Sequence, residues 1–357
     1  MSERKQSSLR VSAQENQEAF FLPALEQFLE CLSQRSRDII AARFGMYGSA
    51  SKTLEEIGES YQITRERVRQ VIGSALTVLV HKNGHATLLA EVSRRIQSTL
   101  EEKSGIMEAE EFFKKLAPGG NGERGALVAF IECFSIVREE KVTKEHEKVY
   151  VLKGFDFDHW ARIIEKVKAI LFAADHVMDQ KTLFTRFAEQ DDTVDEQKLF
   201  NFLAVSRDVK QNVFGQWGLV GWSDVKPRGT REKAHLVLKR AGVPLHFREI
   251  ARRIDKYGLQ RVKAGPSHPQ TVHNELIKDK RFVLVGRGVY ALSEWGYKKG
   301  TVKEVLQEIF LKADKPLSRE EVLAQVLKVR QVKKSTVIIN LNTFFRRVGK
   351  DAYVVKK

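Results

Sequence analysis

Residues 32–79 read LSQRSRDIIAARFGMYGSASKTLEEIGESYQITRERVRQVIGSALTVL, and the positions of helix-capping residues in this stretch predict two short helices joined by a tight turn. Thr53 followed by Glu56 is a capping box, so the first helix should begin at Leu54. After a short break, Thr64 can cap the second helix. Such a pair of helices is a helix-turn-helix, a motif whose second helix enters the DNA major groove.

The second predicted helix is amphipathic. Its apolar residues recur at helical spacing and are Val68, Val71, Ile72, Ala75, Leu76 and Leu79. The opposite face carries Arg65, Glu66 and Gln70. Arginine can bond guanine O6 and N7, glutamine can bond adenine N6 and N7, and glutamate can accept from cytosine N4. These three residues are therefore predicted to read bases, although an ordinary surface helix with mixed charges would show the same pattern.

Three segments of this stretch, RFG, KTLEEIG and ITRERVRQ, closely resemble region 4 of the sigma-70 family, the part that reads the −35 promoter element. The likeness covers about fifty of the 357 residues. It implies base contacts from Arg65, Glu66 and Gln70. The residues that it implies near the phosphates are Arg43, Leu54, Glu55, Thr64, Arg67 and Arg69. It also implies docking on the flap of RNA polymerase.

The basic charge of the chain is concentrated in its C-terminal part. The net charge is +15, and Lys plus Arg exceed Asp plus Glu by 12 in residues 226–299 and by 7 in residues 300–357. Residues 83–153 and 154–225 are slightly acidic. Concentrated positive charge is typical of phosphate binding. We therefore expect residues 226–357 to hold DNA non-specifically, with a solvated basic surface as the alternative.

The composition indicates a protein of the cytoplasm. Two cysteines are too few for a disulfide framework or a four-cysteine zinc site. The first fifteen residues are polar, unlike a signal peptide, and no apolar run approaches the ~18 residues of a membrane span. We expect a cytoplasmic, nucleoid-associated protein without a membrane partner.

An internal repeat follows the helix-turn-helix stretch. Pro244-Leu245 and Pro316-Leu317 occupy matching positions, and weaker copies occur at Val177-Met178 and Ile106-Met107. Each copy ends in a β-rich segment, such as FVLVGRGVYAL with a hairpin turn at its Gly-Arg-Gly centre. Because a helix, an anchored helix, a third helix and a hairpin make a winged helix, the predicted fold is mainly α with small β-hairpin wings, a helix-turn-helix domain followed by tandem winged-helix units.

The predicted boundaries follow from this repeat. They are a flexible tail (1–17), the sigma region 4-like helix-turn-helix (18–82), a linker helix with a degenerate winged-helix unit (83–153), a winged-helix-like unit (154–225), a third unit (226–298) and a last winged-helix-like unit (299–357). In the third unit, TREKAHLVLKRAGVPLHFREIARRI with RFVLVGRGVYAL resembles the HARE-type winged helix. That family includes the N-terminal domain of the RNA polymerase delta subunit in some bacteria, and its members bind DNA or protein.

The HARE-type unit supplies a second set of candidate contacts. Pro244-Leu245 is predicted to open its second helix, with Ile250 and Ile254 in the core. The third helix should begin near Pro269. The residues then available to a DNA groove are Gln270, Thr271, His273 and Asn274. The candidate phosphate contacts are Arg248, Arg252, Arg253, Lys278, Arg281 and Arg287.

The sequence offers no convincing catalytic centre. It contains no GxxxxGK[ST], GxSxG or HExxH motif. A loose nuclease-like group of Glu196 and Lys198 with Asp179 or Asp191 falls on a helix face that is better explained by solvation. We therefore predict no enzyme, no cofactor and no metal.

The predicted function is that of a DNA-binding transcription factor that reads a −35-like element. It would act as a sigma-like or accessory factor with double-stranded DNA and core RNA polymerase as partners. Because only about thirty residues precede the region 4 likeness, we expect that it does not open promoters alone. The alternative is a DNA-binding adaptor or repressor that does not engage the polymerase.

Overall fold

A computed structural model describes most of the chain. The described residues are 19–48, 50–81, 86–260, 265–297, 300–313, 315–330, 332–349 and 351–355. The predicted tail at 1–17 lies outside them. The described chain is mainly helical and carries small antiparallel sheets, which confirms the predicted fold class.

The helices and strands alternate in a recurring order. The helices are α1 (Phe21–Leu29), α2 (Gln34–Phe44), α3 (Leu54–Tyr61), α4 (Arg65–His81), α5 (Ala86–Glu101), α6 (Ala109–Leu116), α7 (Asn121–Cys133), α8 (Phe157–Ala174), α9 (Gln180–Ala188), α10 (Glu196–Val205), α11 (Thr230–Ala241), α12 (Phe247–Lys256), α13 (Pro269–Lys278), α14 (Val302–Leu311), α15 (Arg319–Val329) and α16 (Lys334–Phe344). The strands are β1 (Ile106–Glu108), β2 (Val137–Glu140), β3 (Val149–Leu152), β4 (Val209–Gln211), β5 (Trp217–Leu219), β6 (Leu245–His246), β7 (Phe282–Gly286), β8 (Val289–Leu292), β9 (Leu317–Ser318), β10 (Phe345–Val348) and β11 (Ala352–Val355).

After α4, one order of elements occurs four times: helix, anchor, two helices and two strands. We call these repeats the first (α5–β3), second (α8–β5), third (α11–β8) and fourth (α14–β11) winged units. In the first, third and fourth units the opening strand pairs with the last strand, giving the sheet orders β1-β3-β2, β6-β8-β7 and β9-β11-β10. The sequence repeat and the winged-helix layout are therefore confirmed.

The repeat has a common pairing at its anchor. One apolar anchor residue in each unit lies opposite a large aromatic residue, and the pairs are Met107–Tyr150, Met178–Trp217, Leu245–Tyr290 and Leu317–Tyr353. Leu245 was predicted to open a helix but lies on strand β6, and α12 begins at Phe247. The pairing with Tyr290 holds Leu245 in extended backbone, and the His246 side chain then caps α12 by accepting from the Arg248 amide at 3.3 Å.

The chain divides into two compact bodies. The first contains the described residues up to Ala173 together with Lys181–Lys210, and the second contains Ala174–Gln180 together with the described residues from Gln211 onward. The division falls within the second winged unit. The predicted domain boundaries therefore stay predictions.

The caps of the helix-turn-helix lie where the sequence predicts them. Thr53 and Glu56 form a reciprocal capping box at the start of α3, and the Arg67 amide donates to the Thr64 hydroxyl at 3.1 Å. Gly58 is buried, and a Cβ atom there would lie 2.7 Å from the carbonyl oxygen of Ile63. The close approach that the glycine permits sets the turn between α3 and α4.

The first winged unit shares its hydrophobic core with the helix-turn-helix. One continuous cluster runs from Phe21 in α1 to Tyr150 in β3, and α7 packs against α1, α2 and α4. Gly122 and Gly125 face the carbonyl groups of Met46 and Phe44, with no room for a side chain. The third helix of this unit is therefore an internal packing element.

A carboxylate from α7 also caps α1. Glu123 is only 3% exposed and accepts from the backbone amides of Phe21 at 3.1 Å and Leu22 at 2.8 Å. An N-terminal turn has unpaired amide groups that require acceptors. No side chain of α1's own N-cap residue, Phe20, supplies one. The capping acceptor comes instead from a residue more than one hundred positions away.

The third helix of the second winged unit makes an internal contact too. In α10, the Gln197 amide donates to the Glu102 carbonyl at 3.2 Å. The Asn201 amide donates to the same carbonyl at 3.3 Å and to the Ser104 hydroxyl at 3.0 Å. All of these residues belong to the first body. The polar face of α10 is thus engaged by protein.

Candidate nucleic-acid interface

The second helix of the helix-turn-helix, α4, presents a polar face to solvent. Val68 and Ile72 are buried, at 0% and 6% exposure. On the opposite side the three residues predicted to read bases, Arg65, Glu66 and Gln70, are all exposed. The structure therefore brings the predicted readout residues together on one surface.

Two of these side chains are already hydrogen-bonded to neighbours on α4. Glu66 accepts two bonds from the Arg69 guanidinium, at 2.8 and 2.6 Å, and Gln70 accepts from Arg67 at 3.3 Å. Hydrogen bonding from Arg69 lowers the pKa of the Glu66 carboxyl below its ordinary value. Glu66 is therefore ionised at neutral pH, and a base would have to compete with Arg69 for it.

The residues predicted to lie near phosphates occupy two places. Glu55, Thr64, Arg65 and Arg67 line one shallow depression beside the turn. Leu54 is half-buried, and Arg69 is exposed on α4.

Arg43 lies at a separate depression, which it shares with Arg124 and Glu132. Its guanidinium also donates to the Lys52 carbonyl at 3.3 Å. The contact predicted for Arg43 therefore lies on the side of the domain that faces α7.

In the third winged unit, α13 is the exposed third helix. Its Val272 and Leu276 are each 1% exposed and pack into a core with α11 and α12. Gln270, Asn274 and Lys278 are exposed, as is Thr271. His273 is half-buried, with its ring stacked 4.5 Å from that of Phe247. Of the four predicted groove residues, His273 is thus the one held by packing.

Several predicted phosphate contacts of this unit are paired with carboxylates. Glu249 holds both Arg252, at 2.8 Å, and Arg253, at 2.6 Å, and these hydrogen bonds lower the pKa of Glu249 to about 2. Asp279 holds Arg281 at 2.6 Å. These three arginines carry a neighbouring negative charge that weakens their attraction for phosphate.

Arg248 and Arg287 are exposed in the same unit. The Arg248 guanidinium lies 5.9 Å from the centre of the Phe247 ring, and Arg287 sits in the turn between β7 and β8. Lys278 is only loosely paired, with 3.8 Å between its ammonium and the carboxylate of Glu275. Lys278, Arg248 and Arg287 are therefore the best placed of the predicted cations to meet a phosphate backbone.

Two features of this surface were missed by sequence reasoning. Ile277 on α13 is 64% exposed. Its position opposite Val272 and Leu276 on the helix could have been found from helical periodicity. The fourth winged unit also exposes basic residues near its third helix and its hairpin, namely Lys333, Lys334, Arg346 and Arg347.

The loose nuclease-like group has a structural role at Asp191. This carboxylate accepts from the Lys166 ammonium at 2.5 Å and from the Thr193 hydroxyl and amide, contacts that lower its pKa. Within the described part of the chain, no group of three His, Cys, Asp or Glu side chains is arranged to hold a metal ion.

None of the described helices combines the length and the apolar character that crossing a membrane requires.

Comparison with known proteins identifies two domains. Residues 28–81 match the family model for sigma-70, region 4, and residues 229–295 match the HARE-HTH model, a restriction endonuclease HTH domain. The chain therefore combines a sigma-70 region 4 with a HARE-type domain, as the two sequence resemblances predict. Neither family is a family of enzymes, and both place the chain among DNA-binding proteins of transcription.

Curated relatives align with the first of these domains. RNA polymerase sigma factor SigA of Nostoc sp. is 45% identical over 64 residues, which is 18% of this chain and 16% of the relative. SigA of Synechocystis sp. is also 45% identical over 64 residues, and SigA of Bacillus sp. is 40% identical over 57. The chain thus aligns with only about a sixth of the length of these sigma factors.

Proposed function

We propose that this protein binds promoter-type duplex DNA through α4 and acts as a sigma-like or accessory factor of RNA polymerase during initiation. The observation that carries this proposal is the exposed arc of Arg65, Glu66 and Gln70, held by a capped turn in a domain that matches sigma-70 region 4. Each of these residue types can recognise a base edge in the major groove. The DNA site it would take is a −35-like element.

The rest of the chain supports a role in addition to base reading. The third and fourth winged units carry most of the positive charge and would grip duplex DNA beside the element. The first winged unit is packed against the helix-turn-helix, which supports a scaffolding role for it. Linking two modest DNA contacts in one chain raises their combined affinity, provided that the chain can span both sites.

Gln70→Ala is expected to weaken binding to the preferred site by about 1–3 kcal/mol, because a bidentate contact to adenine would be lost. Binding to random DNA should change little. Affinities for both kinds of DNA, measured by fluorescence anisotropy at one fixed salt concentration, test this expectation. Arg94→Ala is a suitable control, because Arg94 lies on α5 and pairs with Glu91 at 2.8 Å. An equal loss on both DNAs would remove Gln70 from the readout role.

The polymerase half of the proposal has its own expected result. Core RNA polymerase should bind this protein, but a linear promoter should stay closed at −10 unless a separate sigma factor is added. Co-purification tests the first statement, and a reagent specific for single-stranded DNA tests the second. Opening without added sigma factor would overturn the accessory role. Failure to bind the polymerase at all would favour a DNA-binding adaptor or repressor.

A further inference from the structure

The exposed face of α13 has a composition suited to one kind of base pair. At about 100° per residue, Gln270, Asn274, Ile277 and Lys278 fall on one arc of the helix. The buried Val272 and Leu276 lie on the other side. Two amides, an aliphatic side chain and a cation are thus presented together.

The two amides are arranged as a pair. The Gln270 amino group donates to the Asn274 carbonyl oxygen at 3.2 Å. This bond leaves the carbonyl oxygen of Gln270 as an acceptor and the amino group of Asn274 as a donor. Adenine presents the complementary combination in the major groove, with a donor at N6 and an acceptor at N7.

The chain contains a second amide pair at the same helical positions. Gln197 and Asn201 stand in the same register to the buried Leu199 and Leu203 of α10, and they bind the backbone carbonyl of Glu102. That pair belongs to a slightly acidic stretch of chain, whereas the α13 pair belongs to residues 226–299, where basic residues exceed acidic ones by 12. The surrounding charge therefore favours a polyanion rather than a protein carbonyl as the partner of Gln270 and Asn274.

Ile277 adds an apolar contact next to the amides. It is 64% exposed, a state that needs a partner more than most surface residues do, and it lies three residues after Asn274. In the major groove the thymine methyl group is the apolar feature that distinguishes one base pair from the others. An adenine-reading amide pair beside an aliphatic side chain therefore matches an A·T pair.

We propose that α13 is a second sequence-reading helix, which recognises A·T pairs in the major groove through Gln270, Asn274 and Ile277. Lys278, on the same arc, and Arg287, at the wing turn, would contact the flanking phosphates. This inference rests on the proposed function in one respect, namely that the chain binds duplex DNA. It adds a second recognition site, so that the preferred DNA carries an A·T element besides the one read by α4.

The test uses the full chain and selection from random duplex DNA. The wild-type protein should enrich two elements, and the double variant Gln270→Ala, Asn274→Ala should lose the A·T element while keeping the other. On a fixed selected site, the double variant should bind about tenfold more weakly or worse than the wild type. Lys278→Ala is the matched control, because it should weaken binding to selected and scrambled elements alike and make the salt dependence shallower by about one unit of log–log slope.

Modified bases locate the contacts. Replacing the selected adenine by 7-deazaadenine, which lacks the N7 acceptor, should weaken wild-type binding but not binding by the double variant. Replacing thymine by uracil, which lacks the methyl group, should weaken the wild type but not Ile277→Ala. Retention of the A·T element by the double variant would overturn the proposal. So would the absence of any second element while the Gln70-dependent element is still enriched, an outcome that leaves the proposed function intact.

Discussion

Gly125→Ala is expected to destabilise the first body by about 3 kcal/mol or more, the upper end of the range for overpacking substitutions. The added Cβ would overlap the carbonyl oxygen of Phe44, which is backbone and cannot rotate away. Relief requires α7 to move from α2, and that movement opens the core shared by the two domains. Hydrogen–deuterium exchange of peptides from α2 and α7 in the full chain should become faster.

Gly73→Ala is the matched control, because it is also a helical glycine. Nothing lies within 4 Å of a Cβ at this position in α4. Alanine should therefore stabilise α4 by about 0.5–1 kcal/mol through its helix propensity. Similar behaviour of the two variants would show that the contact between Gly125 and Phe44 does not limit the packing.

Glu123→Ala is expected to cost about 1–3 kcal/mol for each of the two amides that it leaves without an acceptor. The amides belong to Phe21 and Leu22 in the first turn of α1. Glu123→Gln should be milder, because its single carbonyl oxygen can still accept from one of them. Urea denaturation of the three proteins, with exchange measured on α1 peptides, gives the order. A loss confined to α7 would contradict the capping role.

The same carboxylate makes the stability of α1 depend on pH. Burial raises the pKa of Glu123 above the ordinary value of 4.5, although the Leu22 and Phe21 amides oppose the shift. Because the folded state then holds the proton more tightly than the unfolded state, this contribution to stability is complete below pH 4.5. It is lost as the pH rises through the folded pKa. Glu123→Gln should remove this slope, and an unchanged slope would assign it to another group.

Local features were predictable from the sequence because they depend on neighbouring residues. The Thr53–Glu56 box and the Thr64 cap need only the three or four residues that follow, and both form as predicted. The repeat was also visible, because each anchor must be apolar to pack. The HARE-type helix α13 begins at Pro269 as expected.

Contacts between distant segments were not predictable. No local signal marks Glu123 as the cap of α1, since its partners lie more than one hundred residues earlier. Leu245 reads as the start of a helix until Tyr290 is placed opposite it. The basic residues of the third unit could be counted, but their neutralisation could not, because the pairing of Arg281 with Asp279 depends on the conformation of the chain between helix and strand.

The remote cap of α1 has a consequence for biosynthesis. The ribosome releases Phe21 about one hundred residues before Glu123, and at roughly 5–20 residues per second that interval lasts on the order of 5–20 seconds. During this time the apolar side chains of α1 have neither their cap nor the α7 surface that covers them. We expect the nascent chain to be a client of ribosome-associated chaperones until α7 emerges, and a translational pause placed before residue 123 to lower the yield of native protein.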